Sequence, residues 1–108
     1  MRDPLTISLR GIAPSEELEG CIAREMRTLE AIGERLLGCV VVAEKLESDA
    51  RHGVRFAARL IVTLPGAEVV VNREDSLDIV KAMHEAFAAA AQQLRAQARR
   101  RPERRGRD

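Results

Sequence analysis

Aromatic residues are almost missing from this chain: Phe56 and Phe87 are the only ones among 108 residues, with no Trp and no Tyr. Any core must therefore be aliphatic. The same scarcity argues against the common single-strand RNA readers, which stack bases on an exposed aromatic platform. Cysteine is nearly as rare. Cys21 and Cys39 stand far apart with no His at ligand spacing, so the zinc templates find no match and two buried free thiols are expected. No segment approaches the roughly 20 apolar residues that span a bilayer, and "MRDPLTISLRG" lacks the apolar stretch of a secretory signal. The expectation is a reduced, cytoplasmic setting with no membrane partner. Catalytic signals are missing too. Gly11, Gly20, Gly33 and Gly38 stand singly and form no phosphate-binding fingerprint, while His52 and His84 have no Ser or Cys near them in sequence. No enzyme, metal or cofactor is expected.

What the chain does have is charge, unevenly placed. The formal net charge is only +1, yet from Arg99 onward six arginines face only Glu103 and Asp108, an excess of +4, which leaves −3 for positions 1 to 98. The length suits one compact domain. We expect that domain over residues 1–98 and a basic, disordered tail over 99–108, because "RRRPERRGRD" offers repelling charges, a helix-stopping Pro102 and nothing to bury. Such a tail either solubilises a helix end or binds nucleic acid by counterion release.

Periodicity gives the order of elements. "LTISLR" alternates Leu5, Ile7 and Leu9 against polar residues, the pattern of a strand with one buried face. Ser15 then caps a helix whose stripe is Leu18, Ile22, Met26, Leu29 and Ile32, with Glu16, Glu17 and Glu19 where the helix dipole favours anions. "CVVVAEKL" is a second strand. In "VRFAARLIVTL" Val54, Phe56, Ala58, Leu60, Val62 and Leu64 share one face, while Arg55, Ala57, Arg59, Ile61 and Thr63 share the other. "TLPGAEVVVNRE" closes a hairpin into a fourth strand. A Pro-Gly pair suits a type II turn better than the primed turns of tight hairpins, so a slightly longer loop or a bulge is expected there. A second helix follows, capped by Ser76 or Asp78, with Leu77, Val80, Met83, Phe87, Ala90, Leu94 and Ala98 along one side. The fold class is α+β, in the order β-α-β-β-β-α: a four-stranded sheet with two helices on one face.

The basic residues fall into groups on this scaffold. Arg24 and Arg27 lie off the buried stripe of the first helix, Lys81, Arg95 and Arg99 on the outer side of the second, and Arg10, Arg55 and Arg59 on the uncovered sheet face. Ordinary helix-surface pairing, Arg27 with Glu30 and Lys81 with Glu85, is the competing account of the first two groups. On the sheet face, Ile61 and Val70 join the arginines in a mixed patch, and the rival is a protein contact or a weak homodimer.

The order of elements, together with "SEELEGCIAREMRTLE", "ERLLGCVVV", "TLPGAEVVVNRE" and "AFAAAAQQLRAQARR", resembles the ribosome hibernation-promoting factor family, which includes the ribosome-associated inhibitor A proteins. The resemblance covers nearly all of residues 4 to 100 and is to the short form, without the dimerisation domain of long members. It implies a double-stranded-RNA-binding-domain-like fold and a translation inhibitor. The partner would be the small ribosomal subunit, bound through rRNA near the decoding and peptidyl sites, with no sequence-specific DNA binding. It also implies rRNA contacts from Arg35, Arg59, Arg73, Arg99 and Arg100, which with Arg24, Arg27, Arg51, Lys81 and Arg95 make up the candidate binding set. Four positions depart from the family pattern: Glu25, Thr28, Ala89 and Gln92 stand where members often carry basic residues. The connector "ESDARHG" likewise keeps only Arg51 and His52 of a richer basic segment.

Overall fold

A computed structural model of the chain describes residues 5–32, 35–46, 53–75 and 77–100. The elements are β1 (Leu5–Arg10), α1 (Glu16–Ala31), β2 (Gly38–Leu46), β3 (Arg55–Leu64), β4 (Ala67–Asp75) and α2 (Ile79–Arg100). The expected order is the observed one. The strands form one sheet in the order β1-β2-β3-β4. β1 and β2 are parallel, as a crossover through α1 requires, and the other two pairs are antiparallel.

Both helices start where the sequence supplies an acceptor for their free N–H groups. Ser15 has extended backbone and its Oγ accepts from Leu18 N at 3.1 Å. Asp78 does the same for α2, accepting from Val80 N at 2.9 Å and Lys81 N at 3.3 Å. Leu77 therefore precedes the helix. Expected on the buried stripe, it is 85% exposed instead, and its N–H donates to the Asp75 carboxylate at 2.8 Å. That bond, a second from Asp78 N at 3.0 Å and the nearby Lys81 ammonium hold the Asp75 carboxyl below its ordinary range.

One aliphatic core joins the helices to the sheet. Leu18, Ile22, Met26 and Leu29 of α1 meet Val41, Leu60, Val62 and Val69 of the strands and Met83, Phe87 and Leu94 of α2. Ala82, Ala86 and Ala90 of α2 are all buried along one side of the helix, and these small side chains let it lie directly against β3 and β4. α1, with bulkier inward residues, packs beside α2 and stands further from the strands. Cys21 and Cys39 are buried and free, and burial raises the Cys39 thiol to about 11, which leaves it protonated and unreactive. Among the described residues no polar or charged side chain is buried.

Three details differ from expectation. Leu5 and Ile7 point to the core side, opposite Cys39 and Val41, yet remain 39% and 42% exposed, because neither helix packs closely on β1. The other edge strand, β4, is covered by α2, which buries Val69 and Val71. Val54 lies just before β3 and is exposed. The hairpin has neither a longer loop nor a bulge: pairing is continuous from Phe56↔Asp75 to Leu64↔Ala67, and Pro65-Gly66 alone makes the turn. The positive φ of 76° at Gly66 is what a type II turn needs at its third position. A Cβ there would meet no atom within 4 Å. Gly66→Ala is therefore expected to cost about 1 kcal/mol from backbone strain alone, with Gly66→Asn costing less, read as a shifted urea midpoint at constant slope.

Candidate nucleic-acid interface

The two helices run in the same direction, each antiparallel to the strand that precedes it. Their N-termini lie at the end of the sheet where β4 finishes, and their C-termini at the end holding the Pro65-Gly66 turn and the start of β2, where Leu37 N donates to Thr63 O at 2.7 Å. Charge follows this axis. Glu16, Glu17 and Glu19 occupy the first turn of α1, with Asp75 and Asp78 leading into α2. At the other end stand Arg35, just before β2, and Arg95 and Arg99 on the last turns of α2, all exposed, with Arg27 on the outer side of α1. The macrodipoles favour the acids at both N-termini and the arginines at the end of α2. The last turn of α1 holds Glu30 and no basic residue, and Arg10, Arg55 and Lys81 stand among the acids at the opposite end. Arg100 is the last described residue, and the sequence beyond it adds four more arginines.

A shallow trough crosses the outer surface of α2, running from Glu25 and Thr28 of α1 to Arg73 of β4. Its other polar members are Glu85, Gln92 and Arg95, and Leu29 and Phe87 contribute to its lining. Two carboxylates and two guanidiniums make it electrically balanced. His84 Nδ1 and Glu25 Oε2 are 2.8 Å apart across the helix pair, which ties that carboxylate to α2. Lys81 sits near the acidic end and pairs with Asp75 at 3.7 Å, instead of the Glu85 its helical spacing offered, because Asp75 already anchors the start of α2.

The candidate residues do not all share a surface. Arg73 is on the helix side, in register with the buried Ala58, and its Nη1 donates to Asn72 O at 2.9 Å. Arg59 is in register with Asn72 and so points from the opposite, open face of the sheet. Arg24 and Arg27 are exposed on α1. Arg51 and His52 lie outside the described residues, as does the tail after Arg100, and the structure describes only the backbone of Arg100. Among the described residues no group of three or more His, Cys, Asp or Glu could hold a metal ion. No described helix is long and apolar enough to cross a membrane.

No family model and no curated protein sequence matches the chain. Solved structures do. The N-terminal domain of Protein Y from Thermus thermophilus superposes with a TM-score of 0.70 at 20% identity, over 84% of this chain and 93% of that one. The chain has the Protein Y fold. A ribosomal subunit interface protein from Coxiella burnetii superposes less closely, with a TM-score of 0.57 at 14% identity, over 87% of this chain and 91% of that one. On the Protein Y fold as this chain builds it, Glu25, Thr28, Ala89 and Gln92 come together: all four line the trough. Sequence reading found them one by one, as departures from a basic pattern. Spacing on α1 and α2 places each on an outer face, but only the packing of the two helices gathers them into one surface.

Proposed function

We propose that this chain is a ribosome-associated translation inhibitor of the hibernation-promoting factor family, acting in the cytoplasm by occupying the mRNA and tRNA path of the small subunit near its decoding and peptidyl sites. The observation that carries this reading is the shared fold, which spans 93% of the Thermus Protein Y domain, and the name of the Coxiella neighbour points the same way. The sequence resemblance over residues 4 to 100 is a second support. Function here needs no bond making. A folded body that grips rRNA phosphates excludes other occupants by its bulk.

The grip is assigned to the basic end. Arg27, Arg35, Arg95 and Arg99 would meet phosphates directly, with Arg100 and the arginines after it extending the contact. Arg24 and Arg73 would bind at the flanks, Arg51 stays a candidate from the sequence, and Lys81, held by Asp75 at the acidic end, contributes least. Local potential drives such association, so a body of charge −3 is no obstacle when its cations gather at one end. Cosedimentation with purified small subunits across a salt series tests the reading. With about five phosphates neutralised, affinity should fall about twentyfold for each doubling of salt. A chain that fails to pellet with small subunits even at low salt overturns it.

A further inference from the structure

The face of the sheet away from the helices is uncovered, and its side chains form ordered rows across the strands. Thr6, Val40, Ile61 and Val70 make one row. Val40 and Val70 are 36% and 49% exposed and Ile61 is half-buried, so the row is an apolar stripe crossing three strands. On one side of it the next row is Ser8, Val42, Arg59 and Asn72, and on the other it is Gly38, Thr63 and Glu68. Further along, charges are matched within the chain: Arg10 is in register with Glu44, and Arg55 bridges Glu74 at 3.0 Å. Arg59 and Glu68 differ. Each lies in a row with no opposite charge, and neither makes an ion pair among the described residues.

We propose that this open face is a self-association surface, on which a second copy of the chain docks face to face about a two-fold axis along the Val40–Ile61–Val70 row, bringing Arg59 of each copy to Glu68 of the other. An axis along a row carries the row on one side onto the row on the other. The apolar stripe then stacks on itself, and the Arg59 row of one copy meets the Thr63–Glu68 row of the other, twice by symmetry. Each strand lies over its own equivalent, so Arg59 stands over Thr63 of the second copy, with Glu68 on the neighbouring strand, about 4.8 Å to the side and within reach of the long arginine side chain. Aligned sheet packing allows this, with a mutual rotation of about 30° from strand twist. The area sets the strength. Four strands about 4.8 Å apart and about 25 Å long cover about 500 Å² per copy, or about 1,000 Å² in total, the lower limit for a specific interface. The dimer is therefore weak and concentration-dependent, with a dissociation constant of about 10–100 µM. It uses the face opposite α1 and α2 and does not depend on ribosome binding.

Sedimentation velocity on the full chain from about 5 µM to 1 mM tests it. The wild type should pass from monomer to dimer. Ile61→Lys should stay monomeric throughout, with an unchanged far-ultraviolet spectrum and melting temperature showing that it folds. Ile7→Lys, on the helix side of the edge strand, should dimerise normally. The charge pair gives the sharper measurement. Arg59→Glu and Glu68→Arg should each weaken the dimer at least tenfold, and an equimolar mixture of the two variants should dimerise as the wild type does, because both cross-pairs are attractive in the heterodimer. A wild type still monomeric at 1 mM overturns the proposal, as does a dimer broken by Ile7→Lys or a mixture with no recovery. Loss of ribosome cosedimentation by Arg59→Glu in a monomeric protein would assign the face to rRNA instead.

Discussion

A chain ended at Ala98 should fold normally and bind small ribosomal subunits about a hundredfold more weakly. The truncation removes six arginines with Glu103 and Asp108, and so takes away +4 of charge. Folding is spared because the last fully buried side chain of α2 is Leu94. The weakening follows from the salt relation: a slope of about −0.9 per neutralised phosphate makes each phosphate pairing worth roughly tenfold at 0.1 M salt against a 1 M reference. Two such pairings account for the hundredfold, and the slope of log K against log salt should become shallower by about 2. Cosedimentation of both chains over the same salt series reads the two effects together. Unchanged affinity and slope would move the contact surface off this end of the molecule and onto the trough and the outer side of α1.

Restoring positive charge to the trough should act in the opposite direction. In a triple variant, Glu25→Lys, Ala89→Arg and Gln92→Arg, the balanced trough gains net +4. Its affinity for small subunits should rise by about a hundredfold at 0.1 M salt and its salt slope should steepen by 2 to 3. Stability should change little. Gln92 is exposed, Ala89 only half-buried, and Arg is a good helix former. The variant also removes the carboxylate that faces His84, but that pair is exposed and of small value. An affinity gain without a steeper slope would mean that the new side chains act by packing. No gain at all would mean that the trough does not face phosphate in the complex. The natural trough is electrically balanced where the resemblance leads one to expect cations, so under the proposed function the grip falls to the basic end.

How much of this was legible in the sequence depends on the range of the interaction involved. The alternation in β3 fixed its faces correctly from Phe56 to Leu64, since period 2 is a local property of the backbone, and α2 was plain from its stripe and Ala-rich composition. Leu77 was misplaced because the stripe continues one step past the cap. Only the bonds to Asp75 and Asp78 show where the helix begins. The exposure of Leu5 and Ile7 depends on where the helices lie, over β3 and β4 and not closely over β1, which the alternation of β1 does not encode. Cation placement was harder still. Arg59 and Arg73 read alike as basic strand residues, yet the one-residue offset between the pairs Arg59↔Asn72 and Ala58↔Arg73 sends them to opposite sides of the sheet. The trough draws on α1, β4 and α2 at once, and no single stretch of sequence contains it.

The two helices point the same way, with an excess of acids around their N-termini and the arginines of the end of α2 and of the sequence after it at the opposite pole. The proposed encounter with a polyanion would therefore be that of a compass needle with a field. A chain whose overall charge is only +1 feels little net pull toward ribosomal RNA. Under the proposed function it would feel a torque instead, turning the arginine pole forward before any contact is made, so that encounters would begin with that end leading.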